Sequence, residues 1–297
     1  MTRPSCFPDG YAGCSAREVS LTDGTRLRVV ESGDVHAPPV LLVHGFGASS
    51  YQWRFTLPTL AAAGFHAIAP DLPGHGFSQL AFPSGEYTRD IYASRIIQLM
   101  DALGVRSAPV VGHSMGGAIV AEMAWQHPAR LARVALLSPA GFGVVPDRMR
   151  LLRFIPDILA PIARPLASRA AATLVLGDVY GPDGGWTPQD EVELLAPYAQ
   201  PGIYRALLRT LKEFNFDLHS NAQLAQLPHG TIVVFGTHDG VVRPVDIAAR
   251  VKLVPAGRLV VLSRIGHLPQ VEAAEEVGRL LVEFAQGPRV AGAVSAD

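Results

Sequence analysis

Short, continuously apolar runs recur along the chain: "PPVLLVH" (38–44), "FHAIAP" (65–70), "APVVGH" (108–113), "LARVALLS" (131–138), "TIVVFG" (231–236) and "RLVVLS" (258–263). Runs that are apolar at every position, rather than at every second one, suit strands buried on both faces, as in a parallel sheet. Helical patterns fall between them. The stretch 87–104 places Ile91, Ile96, Leu99, Met100 and Leu103 at helical spacing, with Gly104 at the C-terminal cap. Further helices are predicted over about 51–63, 114–128 (stopped by Pro128), 244–253 and 270–286. One segment alternates instead: "REVSLTDGTRLRVVE" (17–31) reads as a hairpin, with Asp23-Gly24 supplying the turn. Alternating strands and helices predict an α/β fold, a mostly parallel sheet with helices on both faces.

The alternation stops at 141–226, where helix-like pieces rich in Pro and Gly carry no clear buried strand. The expectation is a helical cap (141–226) inserted into one α/β core made of 1–140 and 227–297. Leu151, Leu152, Phe154, Ile155, Ile158 and Leu159 crowd the start of that insertion, and Trp186, Tyr198, Tyr204, Phe214 and Phe216 follow. Such a surface packs on the core or faces an apolar ligand.

Composition narrows the function classes. Of the 297 residues 48% are hydrophobic and 17% charged, a globular balance. A net charge of −1 without a basic block argues against a nucleic-acid partner. The opening "MTRPSCFPDG" has no apolar signal region, and no stretch reads as a membrane span. The most apolar region, Ile155 to Leu176, is interrupted by Pro156, Pro161, Pro165, Arg164 and Arg169. The two cysteines, Cys6 and Cys14, would make at most one bridge, so the expected setting is a reduced, cytoplasmic one.

The chemistry centres on "VVGHSMGG" (110–117), where Gly112, Gly116 and Gly117 surround Ser114 between a strand and a helix. A sharp strand–serine–helix turn needs side-chain-free neighbours and projects the serine hydroxyl outward, at the carboxyl end of the sheet. The Met115 N–H then opens a helix, positioned to donate to an oxyanion. A serine nucleophile needs a base. Of the ten histidines, His267 in "RIGHLPQVE" follows the last predicted strand directly and opens at the same end of the sheet. Asp239 in "VVFGTHDGVV" ends the preceding strand and suits the anion that orients such a base. Other acids lie in the insertion (Asp178, Asp183, Asp217) or inside a helix (Asp246), and "SPAGFG" after strand 131–138 has none. The first buried strand ends in "HGFGAS" (44–49), where the Phe46 N–H is the second candidate oxyanion donor. His44, Asp71 and His75 precede the serine, and structural roles are expected for them.

These pieces together resemble the α/β-hydrolase fold with a helical cap: HGFG (44–47), DLPGHG (71–76), GHSMGG (112–117), the Asp239 loop and GHLPQVE (266–272), in the order Ser, Asp, His. The resemblance implies a serine esterase or lipase-like hydrolase acting through an acyl-enzyme on a small-molecule ester, and the apolar residues of 141–226 point to an apolar one. Epoxide hydrolases and dehalogenases of this fold carry aspartate where this chain has Ser114. Carbon–carbon hydrolases of the ring-cleavage type usually have Asn before the serine and Trp after the histidine; here those places hold His113 and Leu268. A C–C hydrolase or thioesterase on the same residues, and a non-catalytic ligand-binding member, are the alternatives. There is no H-E-x-x-H, no C-x-x-C and no P-loop around Lys212 or Lys252, so neither a metal nor an organic cofactor is expected.

Overall fold

The computed structural model describes residues 13–144, 151, 154–156 and 179–287. Cys6, Leu152, Ile158 and Leu159 lie outside the described residues, and with Cys6 the question of a Cys6–Cys14 bridge. Ten strands are described: β1 (Cys14–Ser20), β2 (Arg26–Ser32), β3 (Pro39–Val43), β4 (His66–Pro70), β5 (Ala108–His113), β6 (Leu131–Leu137), β7 (Gly143–Val144), β8 (Ile232–Gly236), β9 (Arg243–Pro244) and β10 (Arg258–Leu262). Eight form one sheet in the order β1-β2-β4-β3-β5-β6-β8-β10. The β1–β2 hairpin joins antiparallel to β4, and every other neighbouring pair is parallel. The expected mostly parallel α/β sheet is what the chain forms.

The helices are α1 (Thr56–Ala62), α2 (Arg89–Ala102), α3 (Met115–Gln126), α4 (Pro188–Leu195), α5 (Ile203–Glu213), α6 (Asn221–Leu224), α7 (Ile247–Val251), α8 (Pro269–Glu272) and α9 (Ala274–Gln286). The central strands explain why their sequences do not alternate. In β3, Leu41 and Val43 face α2 and α3, packing with Ile96, Leu99, Ile119 and Met123. Val40 and Leu42 face the other side, with Leu57 and Leu60 of α1 and Val277, Leu281 and Phe284 of α9. Both faces are covered, so both must be apolar.

Three helical expectations are corrected in detail. The 51–63 helix is a 3₁₀ turn, Ser50–Trp53, followed by α1. The 244–253 helix shrinks to α7, because Arg243–Pro244 pairs with Gly143–Val144 and Asp246 takes a left-handed φ of 46°. The 270–286 helix breaks at Ala273 (φ −119°, ψ 46°) into α8 and α9.

Strand order places the site. From β3 the chain moves outward to β4, then returns to the other side of β3 as β5 and continues to β6, β8 and β10. The crevice of an open α/β sheet lies at that reversal, outside the carboxyl ends of the strands. The loops after β3, β5, β8 and β10 carry Phe46, Ser114, Asp239 and His267. No helix among the described residues is long and apolar enough to cross a membrane.

Candidate active site

Ser114 joins β5 to α3 with φ 52° and ψ −118°, a conformation an L-residue rarely adopts. Tight packing holds it there. A Cβ at Gly112 would meet the Gly116 carbonyl carbon and Gly117 Cα at 2.8 Å, and one at Gly116 would run into the carbonyl oxygens of Val43 and His44. The turn is tied by main-chain bonds: Ser114 N–H donates to Leu137 O (3.0 Å), while Ser114 O accepts from Gly117 N–H (2.9 Å) and Ala140 N–H (3.0 Å). Met115 N–H belongs to the first turn of α3, whose N–H groups have no acceptor within the helix.

The loop after β3 closes against this turn. A Cβ on Gly45 would lie 3.0 Å from Ser114 Cβ and 2.9 Å from His113 Nδ1. Gly45 N–H donates to Gln52 Oε1 (3.0 Å), and a turn runs from Gly45 O to Ala48 N–H with Phe46 in its first central place. His44 has the structural role expected of it: Nε2 accepts from Leu72 N–H (2.8 Å), so Nδ1 carries the proton and donates to Gly45 O (2.7 Å). Asp71 is likewise a buried structural acid, accepting from Ser50 N–H (2.7 Å) and Phe77 N–H (2.8 Å), with Arg28 at 3.5 Å.

Asp239 and His267 meet. His267 Nδ1 lies 2.9 Å from Asp239 Oδ2 and 3.0 Å from Oδ1. Oδ1 also accepts from Val241 N–H (3.0 Å) and Val242 N–H (2.8 Å), which fixes the carboxylate. Burial pushes this acid upward, but the charge and hydrogen bond of His267 and the Val242 N–H outweigh it and hold it below the usual carboxylate range. Nδ1 therefore faces a carboxylate, which leaves Nε2 for chemistry. Ser114 and His267 are neighbours through His113, whose ring lies 4.7 Å from that of His267, centroid to centroid. No hydrogen bond joins Ser114 Oγ to His267. Ser114, Asp239 and His267 are only 8%, 7% and 5% exposed. A shallow cleft lined by Pro39, His66 and Val105 lies at the opposite ends of the strands and does not touch these residues. No group of three or more potential metal ligands occurs among the described residues.

Three further residues hold the site through contacts that no sequence pattern records. His113 Nε2 donates to the His267 carbonyl (2.7 Å). Burial and the neighbouring His267 push the His113 imidazole well below its usual range, so it stays neutral. Tyr198 OH donates to Gly47 O (2.8 Å), closing the 179–226 stretch onto the Phe46 loop. Glu272 accepts from the N–H groups on either side of His267, Gly266 (3.0 Å) and Leu268 (3.1 Å). The signal for Glu272 was in "GHLPQVE", one turn beyond the histidine, but its partners were not.

Buried histidines set a pH dependence. Burial first, then His44, pushes His75 down to about 3, against the opposing pull of Pro73 O and Asp71; burial, Arg89 and Arg250 push His219 down to about 3. An unfolded histidine titrates near 6.5. Between those values the unfolded chain binds protons that the native state does not. Stability is therefore complete above pH 6.5 and is lost as the pH falls toward 3, by about 1.4 kcal/mol per pH unit for each histidine. The melting temperature is expected to be level from pH 8 to 7 and to fall steeply from pH 6 to 4; a value unchanged between pH 7 and 5 would contradict this.

Residues 38–274 match the family model described as alpha/beta hydrolase fold. Epoxide hydrolase A of Mycobacterium tuberculosis is 29% identical over 93% of this chain and 98% of its own length. Lipase 1 of Psychrobacter immobilis is 29% identical over 88% of this chain and 80% of its own. Among solved structures, the 2-hydroxy-6-oxo-6-phenylhexa-2,4-dienoate hydrolase of a Rhodococcus strain superposes with a TM-score of 0.77 at 26% identity, covering 92% of this chain and all (100%) of that one. With its eight-stranded, mostly parallel sheet, its serine at the β5–α3 turn and this match, the chain belongs to the alpha/beta hydrolase fold family.

Proposed function

We propose that this hydrolase-family chain cleaves carboxylic esters through an acyl-enzyme, with Ser114 as nucleophile, His267 as base and Asp239 as its orienting anion. The observation that carries the reading is the His267 Nδ1–Asp239 pair, buried beside a serine held at positive φ. Ser114 Oγ attacks the ester carbonyl as His267 Nε2 takes its proton. The oxyanion is held by the N–H groups of Phe46 and Met115. The imidazolium then returns the proton to the departing alcohol, and water, activated by the same nitrogen, releases the acid. Catalytic hydrogen bonds are often long without substrate and tighten in the complex, which accommodates the missing Ser114–His267 bond. The epoxide-hydrolase likeness carries less weight, because an oxygen nucleophile on serine opens acyl groups and the family's epoxide chemistry uses aspartate.

Residues 141–226 are the cap in this reading, and they select an apolar acyl or alcohol group. Their aromatics divide in two. Phe214 is buried, packed on Tyr92 (5.9 Å) and Phe216 (4.6 Å). Phe216 is half-buried and meets the Phe46 ring edge-on at 6.4 Å. Trp186 is half-buried against Tyr180 (5.6 Å). The test is kcat/KM across p-nitrophenyl esters from acetate to laurate, beside styrene oxide and a vinylogous diketone. Ester turnover without epoxide opening is expected. Phe216→Ala should alter the chain-length profile, since each methylene is worth about 0.8 kcal/mol in an apolar pocket. Phe214→Ala should chiefly cost stability, about 3–5 kcal/mol. Epoxide or diketone cleavage without ester cleavage would overturn the ester assignment.

A further inference from the structure

The main chain of His267 is held from several sides, and one support comes from far along the sequence. His267 N–H donates to Val179 O (2.6 Å), and its carbonyl accepts from His113. Glu272 binds both flanking N–H groups, and the oxygen that takes Gly266 N–H also accepts from Gly181 N–H (2.7 Å). One carboxylate thus gathers three main-chain donors, two beside the candidate base and one from the 179–184 segment.

Other contacts continue the same seam. Asp183 grips the Arg264 guanidinium through two bonds, of 2.5 and 2.6 Å. The backbones lie so close that a Cβ on Gly181 would collide with Arg264 O and come 2.8 Å from Gly266 N. A Cβ on Gly266 would collide in turn with Gly181 N and Val179 O. Glycine at both positions permits main chain to lie on main chain. Charge-assisted bonds from a carboxylate to N–H groups are among the stronger ones a protein makes.

We propose that Glu272 is a positioning residue that makes the placement of His267 depend on the docked 179–184 segment, so that the cap and the base are set together. The inference rests on the assignment of His267 as the base for Ser114. Its consequence is that release of the segment loosens the base. Misplacing a catalytic group by about 1 Å costs on the order of 10²-fold in rate.

The experiment compares Glu272→Gln, Glu272→Ala and Gly181→Ala with wild type and with Ser114→Ala. Two quantities are read: kcat and KM on a p-nitrophenyl ester, and the downfield proton resonance of His267 Nδ1–H, identified by its loss in His267→Ala. Glu272→Ala and Gly181→Ala are expected to lower kcat on the order of 10²-fold with KM little changed, and to broaden the resonance. Glu272→Gln keeps one acceptor oxygen and should fall between; it also serves if Gly181→Ala does not fold. Variants that keep kcat within about twofold of wild type and a sharp resonance, while losing only melting temperature, would overturn the proposal. Should Ser114→Ala retain full turnover, the ester reading fails, and the resonance alone decides: broadening upholds the coupling and a sharp line overturns it.

Discussion

Ser114→Ala is expected to lower kcat for ester hydrolysis by roughly 10⁴-fold or more while the protein stays folded. The turn is held by main-chain bonds to Leu137, Gly117 and Ala140 and by the close packing of Gly112 and Gly116, none of which uses the hydroxyl. Alanine therefore inherits the same strained backbone and removes only the attacking oxygen. The residual rate expected is that from binding and the two proposed N–H donors. The measurement is single-turnover and steady-state kinetics beside a melting curve. A folded variant with more than about a tenth of wild-type kcat would remove Ser114 from the mechanism.

Asp239→Asn is expected to cost roughly 10³–10⁴-fold in kcat, and the geometry says why. Oδ1 accepts from Val241 and Val242 N–H, so the amide oxygen of asparagine must take that place. Its NH₂ then faces His267 Nδ1, at the Oδ2 position now 2.9 Å away. Nδ1 becomes the acceptor, the proton moves to Nε2, and the base is lost. Asp71→Asn is the contrast. That carboxylate holds Ser50 and Phe77 N–H under the Phe46 loop, so a donor there leaves a buried group unsatisfied, costing about 1–3 kcal/mol of stability. Kinetics and melting of both variants separate the two acids; a larger kcat loss at Asp71 would exchange their roles.

The parts of the candidate site that the sequence reaches are those whose geometry is local. A serine among glycines between an apolar run and a helix names its own turn, and Ser114 lies there, at positive φ. Asp239 and His267 were readable because each follows a buried strand directly, and parallel strands bring such loops to one edge. Glu272 was not. Its carboxylate answers Gly181, 91 residues away, through a bond that no periodicity records. Tyr198 reaches Gly47 across 151 residues in the same way. Helix limits failed where single residues decide: Asp246 at positive φ delays the start of one helix, and Ala273 outside helical angles splits another, where the apolar pattern would have run on.

The role of Ser114 as nucleophile is tested most directly by a mass spectrum of the peptide spanning it after treatment with a fluorophosphonate. Stoichiometric phosphonylation at Ser114 is expected, slowed severely in His267→Ala and Asp239→Asn and matched by loss of ester turnover. An unmodified Ser114 peptide from protein that turns over esters, or modification that leaves turnover intact, would contradict it.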